Sequence, residues 1–181
     1  LRGGYFTLAI RKIKICGDSI LRIKSEKVGK ISASIKKIIN DMCETLTAAK
    51  GLGLAAPQIG ISKSIIVVDL SSTKTPLKMI LINPKILKKY DKEEYFGEGC
   101  LSVPEIYEDV LRPTIIDIEF EDIEGKKQKL IELNGLLARV IQHEVDHLNG
   151  ILFIDRLEPD KRSKIADQID NLIKKSKLSN L

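Results

Sequence analysis

The sequence predicts an α+β protein, with antiparallel or mixed β-sheets packed around a central helix that carries both histidines of the chain. Three observations support this fold class. Short segments rich in β-branched residues are bounded by turn residues, as strands are. Three other segments repeat apolar residues at helical spacing, in the N-terminal half, around the histidines and near the C-terminus. Strands and helices do not alternate regularly, which argues against a parallel sheet built from βαβ units.

Length and composition bound the organisation of the chain. With 181 residues and 43% hydrophobic content, it is expected to form a single domain over residues 1–181. Residues 1–4 look like a fusion scar, and residues 159–181 are expected to form a C-terminal helix and tail. The 3 cysteines lie far apart in sequence, which favours a reducing compartment over a disulfide framework.

Charge and hydropathy exclude several classes of protein. No apolar run approaches the length needed to cross a bilayer, so no membrane association is expected. The net charge of +5 comes mainly from lysines dispersed along the chain, which usually form a solvated surface. Tryptophan is absent and aromatic residues make up only 4% of the chain, so base stacking and DNA binding are not expected.

The first predicted elements are a helix and two strands. After Ser34, apolar residues recur at helical spacing, and Gly51 ends the helix. The apolar stripe, which we assign to the core, consists of Ile35, Ile38, Ile39, Met42 and Leu46. The β-branched run over residues 64–70 predicts a buried strand. A second strand is predicted from Met79 to Asn83, ended by Pro84.

The second half of the chain is predicted to contain a hairpin and two helices. Apolar and acidic residues alternate over residues 116–121, Glu124-Gly125 supplies a turn, and residues 128–133 form the returning strand. A largely buried helix is predicted from Gly135 to Leu148, ended by Gly150. A final helix follows Pro159, with an apolar stripe formed by Ile165, Ile169, Leu172 and Ile173.

Both histidines fall in one pattern, His143-Glu144-Val145-Asp146-His147. On a helix, residues four apart lie on one face, so both imidazoles can bind a single metal ion. Glu144 lies next to that face, where it can exchange protons with a water molecule at the ion. The alternative is a pair of surface histidines on an amphipathic helix. The pattern therefore favours a metal-binding HExxH helix.

A catalytic site of this type needs a third protein ligand, and no histidine remains to supply it. Phe153 stands where one protease class has its third histidine, and a phenylalanine cannot bind a metal. A downstream carboxylate, Glu158, is one candidate, and it would make the chain a zinc-dependent endopeptidase. Cys100 is another candidate, presented from a turn after two glycines, with Pro104 ending the extended stretch. The alternative for Cys100 is a buried structural cysteine.

A second glycine-rich segment, residues 51–60, follows the first helix and precedes a strand. It is not a phosphate-binding loop, because it lacks the Gly-Lys-Ser/Thr ending. Its backbone can instead lie against an extended peptide ligand, with Gln58 offering an amide donor. A helix stop and tight turn that only pack against the core are the alternative.

Three segments taken together resemble the motifs of the peptide deformylase family. They are Gly51-Leu52-Gly53-Leu54-Ala55-Ala56-Pro57-Gln58, Glu98-Gly99-Cys100-Leu101-Ser102 and Gln142-His143-Glu144-Val145-Asp146-His147-Leu148-Asn149-Gly150. They occur in the family's order, the similarity extends from about residue 10 to residue 165, and the C-terminal helix resembles that of the bacterial-type branch. The resemblance implies a metal-dependent hydrolase. It would remove the N-formyl group from the N-terminal formylmethionine of newly synthesised proteins and release formate.

The resemblance also implies roles for individual residues. One divalent metal ion would be held, Fe(II) in cells, with Zn, Ni or Co accepted by the purified protein. Its ligands would be Cys100, His143 and His147. Glu144 would act as the general base, and the side chain of Gln58 and the backbone N–H of Leu101 would stabilise the charge that develops on the formyl oxygen.

For the substrate, the resemblance implies an apolar pocket for methionine beside the metal helix. The backbone of Gly53 would pair with the substrate main chain. The side chains assigned to the pocket are Leu52, Phe96, Leu136 and Val140. Ordinary core packing is the alternative for these four. The chain departs from some bacterial members at Tyr107, where they carry an arginine near the outer part of the substrate, so an ionic contact is not expected there.

The implied partners are N-formylmethionyl nascent polypeptides, met near the ribosome exit. A monomer is expected rather than a dimer. The implied compartment is the bacterial cytoplasm, with an organelle as the alternative.

Overall fold

A five-stranded antiparallel sheet forms the centre of the computed structural model, which describes residues 9–178. With strands numbered in chain order, its members are β1 (Gly53–Ala55), β2 (Ile65–Asp69), β3 (Lys78–Lys89), β6 (Ile115–Glu121) and β7 (Lys127–Asn134). They are hydrogen-bonded in the order β1-β2-β3-β6-β7. The pair β6–β7 is the predicted hairpin, and Gly125 adopts a left-handed conformation (φ 81°) in its turn. The proposed scar at residues 1–4 lies outside the described residues.

A separate hairpin forms the second sheet of the described chain. Strands β4 (Glu93–Cys100) and β5 (Val103–Pro113) pair antiparallel, and two residues connect them. The register shifts between Gly99 and Cys100, so the end of β4 is displaced from regular pairing. Cys100 therefore lies at the irregular end of a long hairpin.

Within residues 9–178 the chain forms four α-helices, α1 (Ala33–Ala49), α2 (Gly135–Leu148), α3 (Pro159–Lys164) and α4 (Ala166–Leu178). Helix α1 begins one residue before the predicted Ser34, because Ser32 caps it by accepting a hydrogen bond from Ile35 N (3.4 Å). Helix α2 has the predicted bounds. Two antiparallel sheets with few helices confirm the α+β class.

Strand β2 shows why the central sheet needs two helices. Ile65 and Val67 are buried in an apolar cluster with the stripe of α1, whereas Ile66 and Val68 are buried in a cluster with α2. Because successive side chains point to opposite faces of a sheet, an uninterrupted apolar strand must be covered on both sides. The buried strand predicted over residues 64–70 is therefore confirmed.

Helix α2 lies between the two sheets. Ala138 and Ile141 pack against the central sheet, and Arg139, His143 and Asp146 form hydrogen bonds with the β4–β5 hairpin. The hairpin also packs against the C-terminal helices. That third apolar cluster includes Cys16, Leu21, Val103, Val110, Phe153, Ile165 and Ile169. Helix α2 therefore contacts both the central sheet and the hairpin.

Two predicted boundaries are wrong at prolines. The strand expected to end at Pro84 continues as β3 to Lys89, because the register shifts between Ile82 and Lys85 and the proline sits in that irregularity. Pro104 does not end an extended stretch but lies near the start of β5. A proline stops a strand only where its missing N–H would have been paired.

The predicted final helix is interrupted. Ile165 ends α3 outside helical geometry (φ −106°, ψ 6°), and α4 begins at the next residue. The apolar stripe still serves its predicted purpose, since Ile165 and Ile169 are buried and Leu172 and Ile173 are partly buried in the third cluster. In the part of the chain that the structure describes, no helix is long and apolar enough to cross a membrane.

Candidate metal centre and active site

Helix α2 and the end of β4 bring two histidines and a cysteine together. The histidine rings lie one turn apart, with centroids 5.1 Å from each other. Cys100 Sγ lies 3.1 Å from His147 Nε2. One ligand atom from each of Cys100, His143 and His147 lies within 4.8 Å of the others. A thiolate and two imidazoles at such distances can bind one transition-metal ion.

Glu98 orients the first histidine. Its carboxylate lies 2.9 Å from His143 Nδ1, which leaves Nε2 as the ring nitrogen available to an ion. Burial tends to raise the pKa of Glu98, but the hydrogen bonds from His143 and Arg112 outweigh burial and hold this pKa at about 2. Glu98 is therefore a buried carboxylate that stays ionised.

The two histidines have opposite electrostatic environments. Burial lowers the pKa of His147 well below its usual value, and its Nδ1 is buried with no hydrogen-bond partner among the described residues. Burial also lowers the pKa of His143, but Cys100 and Glu98 more than compensate and raise this pKa above its usual value. Neutral imidazole is the form that binds a metal, and His147 is held in that form.

Glu144 lies beside the histidines and against β1. Burial raises the pKa of Glu144 to about 7. Its Oε2 is buried with no hydrogen-bond partner among residues 9–178. A Cβ atom built on Gly53 would lie 2.6 Å from Glu144 Oε1, so the carboxylate occupies space that only glycine leaves free. The geometry holds a carboxyl group with one oxygen unpaired next to the metal-ligating group.

Gln58 reaches the same place from the short 3-10 turn over Ala56–Ile59. The backbone N–H of Ala55 donates to Gln58 Oε1 (2.7 Å), which fixes the orientation of the amide. Gln58 Nε2 then lies 3.2 Å from Ser102 Oγ and 3.7 Å from Cys100 Sγ. An amide donor is thus aimed at the cysteine end of the site.

A pocket of about 440 Å³ opens at the metal-ligating group. All five residues predicted to bind substrate line it, and they are Leu52, Gly53, Phe96, Leu136 and Val140. Gln58, Leu101 and Glu144 also line it. Tyr107 lies at the rim with its side chain 76% exposed, and its ring covers Gly99.

Sequence reasoning missed the ionic network behind the site. Arg112 is buried and donates to Glu98 through Nε (2.7 Å) and to Asp146 through Nη1 (2.6 Å). Arg139 donates to Glu98 as well (3.2 Å). Glu98 was visible within the cysteine motif, but its partners come from β5 and α2, and no local pattern connects them.

Glu158, the other candidate for the third ligand, is not part of the metal-ligating group. Glu158 is exposed at the start of α3 and does not belong to the metal-ligating group found among the described residues. Phe153 instead packs near His143, with ring centroids 6.1 Å apart. The geometry therefore offers no support for a zinc endopeptidase site.

Comparison with known proteins agrees with the site. The sequence profile described as polypeptide deformylase matches residues 10–163. A peptide deformylase of Prochlorococcus marinus (strain MIT 9312) is 48% identical over 144 residues, covering 78% of this chain and 70% of the relative. One from Rhizobium meliloti (strain 1021) is 43% identical over 161 residues, covering 87% and 91%. A crystal structure of a peptide deformylase from Legionella pneumophila has a TM-score of 0.82 at 39% identity, covering 95% of this chain and 98% of that one.

Fold and site together define a metal-dependent hydrolase built on an HExxH helix. The extent of the sequence and structural similarity is specific: this chain belongs to the peptide deformylase family. Its members are metal-dependent enzymes that remove the N-formyl group from nascent proteins, and that is the activity of this chain. The endopeptidase alternative is not supported.

Proposed function

We propose that Cys100, His143 and His147 hold the metal ion of the deformylase reaction. The observation that carries this proposal is the convergence of their ligand atoms within 4.8 Å. The donor set fits Fe(II), Zn, Ni or Co, because thiolate and imidazole suit all four, and Fe(II) is proposed as the ion used in cells. When bound, such an ion acts as a Lewis acid and lowers the pKa of water toward about 7.

Glu144 is proposed as the general base and acid. Its unpartnered Oε2 accepts the proton of the attacking water and later delivers it to the nitrogen of the leaving amine. Atoms balance in this sequence, since the C–N bond of the formamide breaks, water adds to the formyl carbon, and the products are formate and a free amine.

Gln58 and Leu101 are proposed to stabilise the negative charge that develops on the formyl oxygen. The amide of Gln58 is held in place by Ala55 N–H, so its Nε2 is directed to the side of Cys100. The backbone N–H of Leu101 is the second proposed donor, at the turn that follows β4. Removing one such donor typically costs about 3 kcal/mol of transition-state stabilisation.

The formylated residue is proposed to be methionine, with its side chain in the apolar part of the 440 Å³ pocket. Leu52, Leu136 and Val140 line the pocket near the metal-ligating group, and Phe96 lies half-exposed at its edge. The backbone of Gly53, on the short strand β1, is proposed to pair with the extended substrate. The rim at Tyr107 offers the substrate an aromatic contact in place of an ionic one.

The proposed setting is that of an enzyme acting on chains as they are made. We assign the whole of residues 1–181 to a single catalytic domain, which works as a monomer close to the ribosome exit. The cytoplasm of a bacterium is the proposed compartment, and an organelle that makes formylated proteins would supply the same substrate.

The decisive experiment purifies the protein without oxygen, measures bound metal by elemental analysis, and follows formate release from formyl-Met-Ala-Ser. We expect one divalent ion per chain. We expect Cys100→Ser to lose most of it, because the thiolate is one of three protein ligands. We expect Glu144→Gln to retain the ion but to lower kcat by about 10²–10⁴-fold, since proton transfer is lost.

Glu44→Gln, an exposed carboxylate on α1, serves as the matched control and should behave as wild type. Full turnover by Glu144→Gln would refute the assigned base. Unchanged metal content in Cys100→Ser would refute the assigned ligand.

A further inference from the structure

A second cleft, larger than the substrate pocket, lies elsewhere on the molecule. It encloses about 840 Å³ between the segment preceding α1, strands β3, β6 and β7, and the C-terminal end of α2. Val145 and Leu148 line it from α2, whereas Val140 and Glu144 line the substrate pocket from the same helix. No residue lines both, so a molecule in this cleft leaves the active site open.

The cleft gathers positive charge that is dispersed in the sequence. Its basic residues are Lys24, Lys27, Lys85, Lys89, Lys127, Lys129 and Arg156. Its acidic residues are Glu119, Glu121 and Asp146. The whole chain carries a formal net charge of +5, so most of that excess is concentrated on this surface. A concave surface with a clear excess of positive charge attracts polyanions.

Most of these cations lack a partner. Arg156 is paired with Asp146 (2.6 Å), and Lys85 lies 3.9 Å from Glu119. The other five lysines are exposed, and within the described range none has a carboxylate within 4.0 Å. Ser25 Oγ, in the wall of the cleft, is buried with no hydrogen-bond partner among the same residues. The cleft thus holds five lysines that form no salt bridge, two of which (Lys127 and Lys129) face carboxylates across β6–β7, and one unused hydroxyl group.

We propose that this basic cleft binds the phosphate backbone of duplex RNA. Lysines act as point charges that suit phosphates, and none of the five cations outside salt bridges is an arginine that could read base edges. The aromatic residue of the cleft, Phe120, is only 7% exposed, so it provides no platform for unpaired bases. The exposed residues of the lining are mainly lysines, whereas its apolar residues, including Ile86, Val145 and Ile151, are buried or half-buried.

The choice of RNA over other phosphate polymers rests on the proposed function, in which the enzyme acts on nascent chains close to the ribosome exit. The acidic residues of the cleft limit its affinity for RNA. Glu119 lies opposite Lys129 in the β6–β7 register, and Glu121 lies opposite Lys127. Binding is therefore expected to be weak, independent of sequence and strongly dependent on salt.

The test measures fluorescence anisotropy of a labelled 16-base-pair RNA duplex with the metal-loaded protein at several salt concentrations. The variant Lys89→Gln/Lys127→Gln/Lys129→Gln removes three cleft charges. The matched variant Lys36→Gln/Lys74→Gln/Lys174→Gln removes three exposed charges elsewhere. We expect the cleft variant to weaken binding by about tenfold or more and to lower the salt slope by about 2–3, and the matched variant to change affinity less than about twofold. We expect Glu119→Gln to tighten binding.

Both triple variants should release formate at the wild-type rate, which would show that they are folded. A failure of RNA binding is thereby distinguished from a failure of the deformylase site. Equal loss of affinity in the two triple variants would overturn the cleft as the binding surface. Equal or tighter binding of duplex DNA, polyglutamate or anionic lipid vesicles would overturn the assignment to RNA. No measurable binding at low salt would overturn the proposal as a whole.

Discussion

Gly53 illustrates how a single residue makes room for the chemistry. It lies on β1, and its backbone is not in the left-handed region, so alanine is conformationally acceptable there. A Cβ atom at this position would nevertheless lie 2.6 Å from Glu144 Oε1 and 2.7 Å from Val140 Cγ1. Both neighbours are buried and cannot move away freely. A glycine is needed at this position because the Glu144 carboxylate leaves no room for a side chain, and not because the backbone conformation demands it.

Gly53→Ala is therefore expected to displace Glu144 without removing a metal ligand. A displacement of about 1 Å at a catalytic group can cost about 10²-fold in rate, so we expect kcat to fall by about 10–100-fold with unchanged metal content. Formate release and elemental analysis measure the two quantities. Gly29→Ala is the control, because a Cβ atom there meets nothing within 4 Å. Equal kcat values for the two variants would contradict this account.

At the residue scale, the sequence predicted the groups that share a local pattern. His143 and His147 are recognisable because one helical turn separates them, and that spacing is confirmed by the geometry of α2. Cys100 remained ambiguous from the residues alone, because its approach to His147 depends on how the hairpin docks on the helix. Glu98 could not be assigned for the same reason, since its role is defined by contacts 45 residues away in sequence.

At the scale of elements, the buried ionic network holds the β4–β5 hairpin against α2. Arg112 donates from β5 to Glu98 on β4 and to Asp146 on α2, and all three side chains are less than 10% exposed. Asp146 also accepts hydrogen bonds from Arg156, which lies beyond the end of α2. Since Glu98 orients His143, the same network that joins the two elements also positions a proposed metal ligand.

Arg112→Met is expected to lower the free energy of unfolding by about 3–5 kcal/mol, because it leaves two buried carboxylates without their main counter-charge. Urea denaturation at pH 7 measures the change. Lys161→Met is the control, since Lys161 forms only a long pair with the Asp109 carboxylate (3.9 Å) and an exposed hydrogen bond to the Asp109 carbonyl (3.1 Å), and the loss of both should cost less than about 1 kcal/mol. Similar losses for the two variants would show that the network does not hold the hairpin.

The elements missed by sequence analysis have a common physical cause. Most residues of strand β4 are exposed, including Tyr95 and Phe96, and the strand forms because β5 pairs with it rather than because it buries an apolar face. Asn83, just before Pro84, adopts a left-handed backbone conformation (φ 52°). Its side chain forms hydrogen bonds with Val28 and Glu121, and these distant contacts allow β3 to extend past Pro84. Local patterns cannot indicate strands that depend on a partner distant in sequence.

At the scale of the whole molecule, the α+β class was predictable because the two large helices and the buried strand have strong periodicity. The partition into two sheets was not, since it depends on three apolar clusters that draw on residues throughout the chain. The gathering of lysines into one cleft was equally hidden, because it combines residues from both ends of the sequence.

The pH dependence of stability is a property of the whole molecule to which Asp41 contributes. Its side chain is fully buried on α1 and accepts hydrogen bonds from Ala9 N (3.2 Å), Arg11 and Lys37. Burial tends to raise the pKa of Asp41, but these hydrogen bonds outweigh burial and bring this pKa below its usual value of 3.8. Through these hydrogen bonds, the carboxylate joins the N-terminal segment to α1.

A folded-state pKa below the unfolded value means that the unfolded chain binds the proton more readily. The stabilisation is therefore complete above about pH 4–5 and is lost as the pH falls through the folded pKa. We expect Asp41→Asn to reduce the free energy of unfolding by about 1–2 kcal/mol from pH 5 to pH 8, a value limited by the partial exposure of both cations. Urea titrations from pH 3 to pH 8 should show this difference shrinking below pH 4, whereas Asp170→Asn, exposed on α4, should stay within about 0.5 kcal/mol of wild type throughout. If the difference in free energy of unfolding between wild type and Asp41→Asn grew on acidification, the pKa of Asp41 would have to be raised. The N-terminal segment would then not be joined to α1 by an ionised carboxylate.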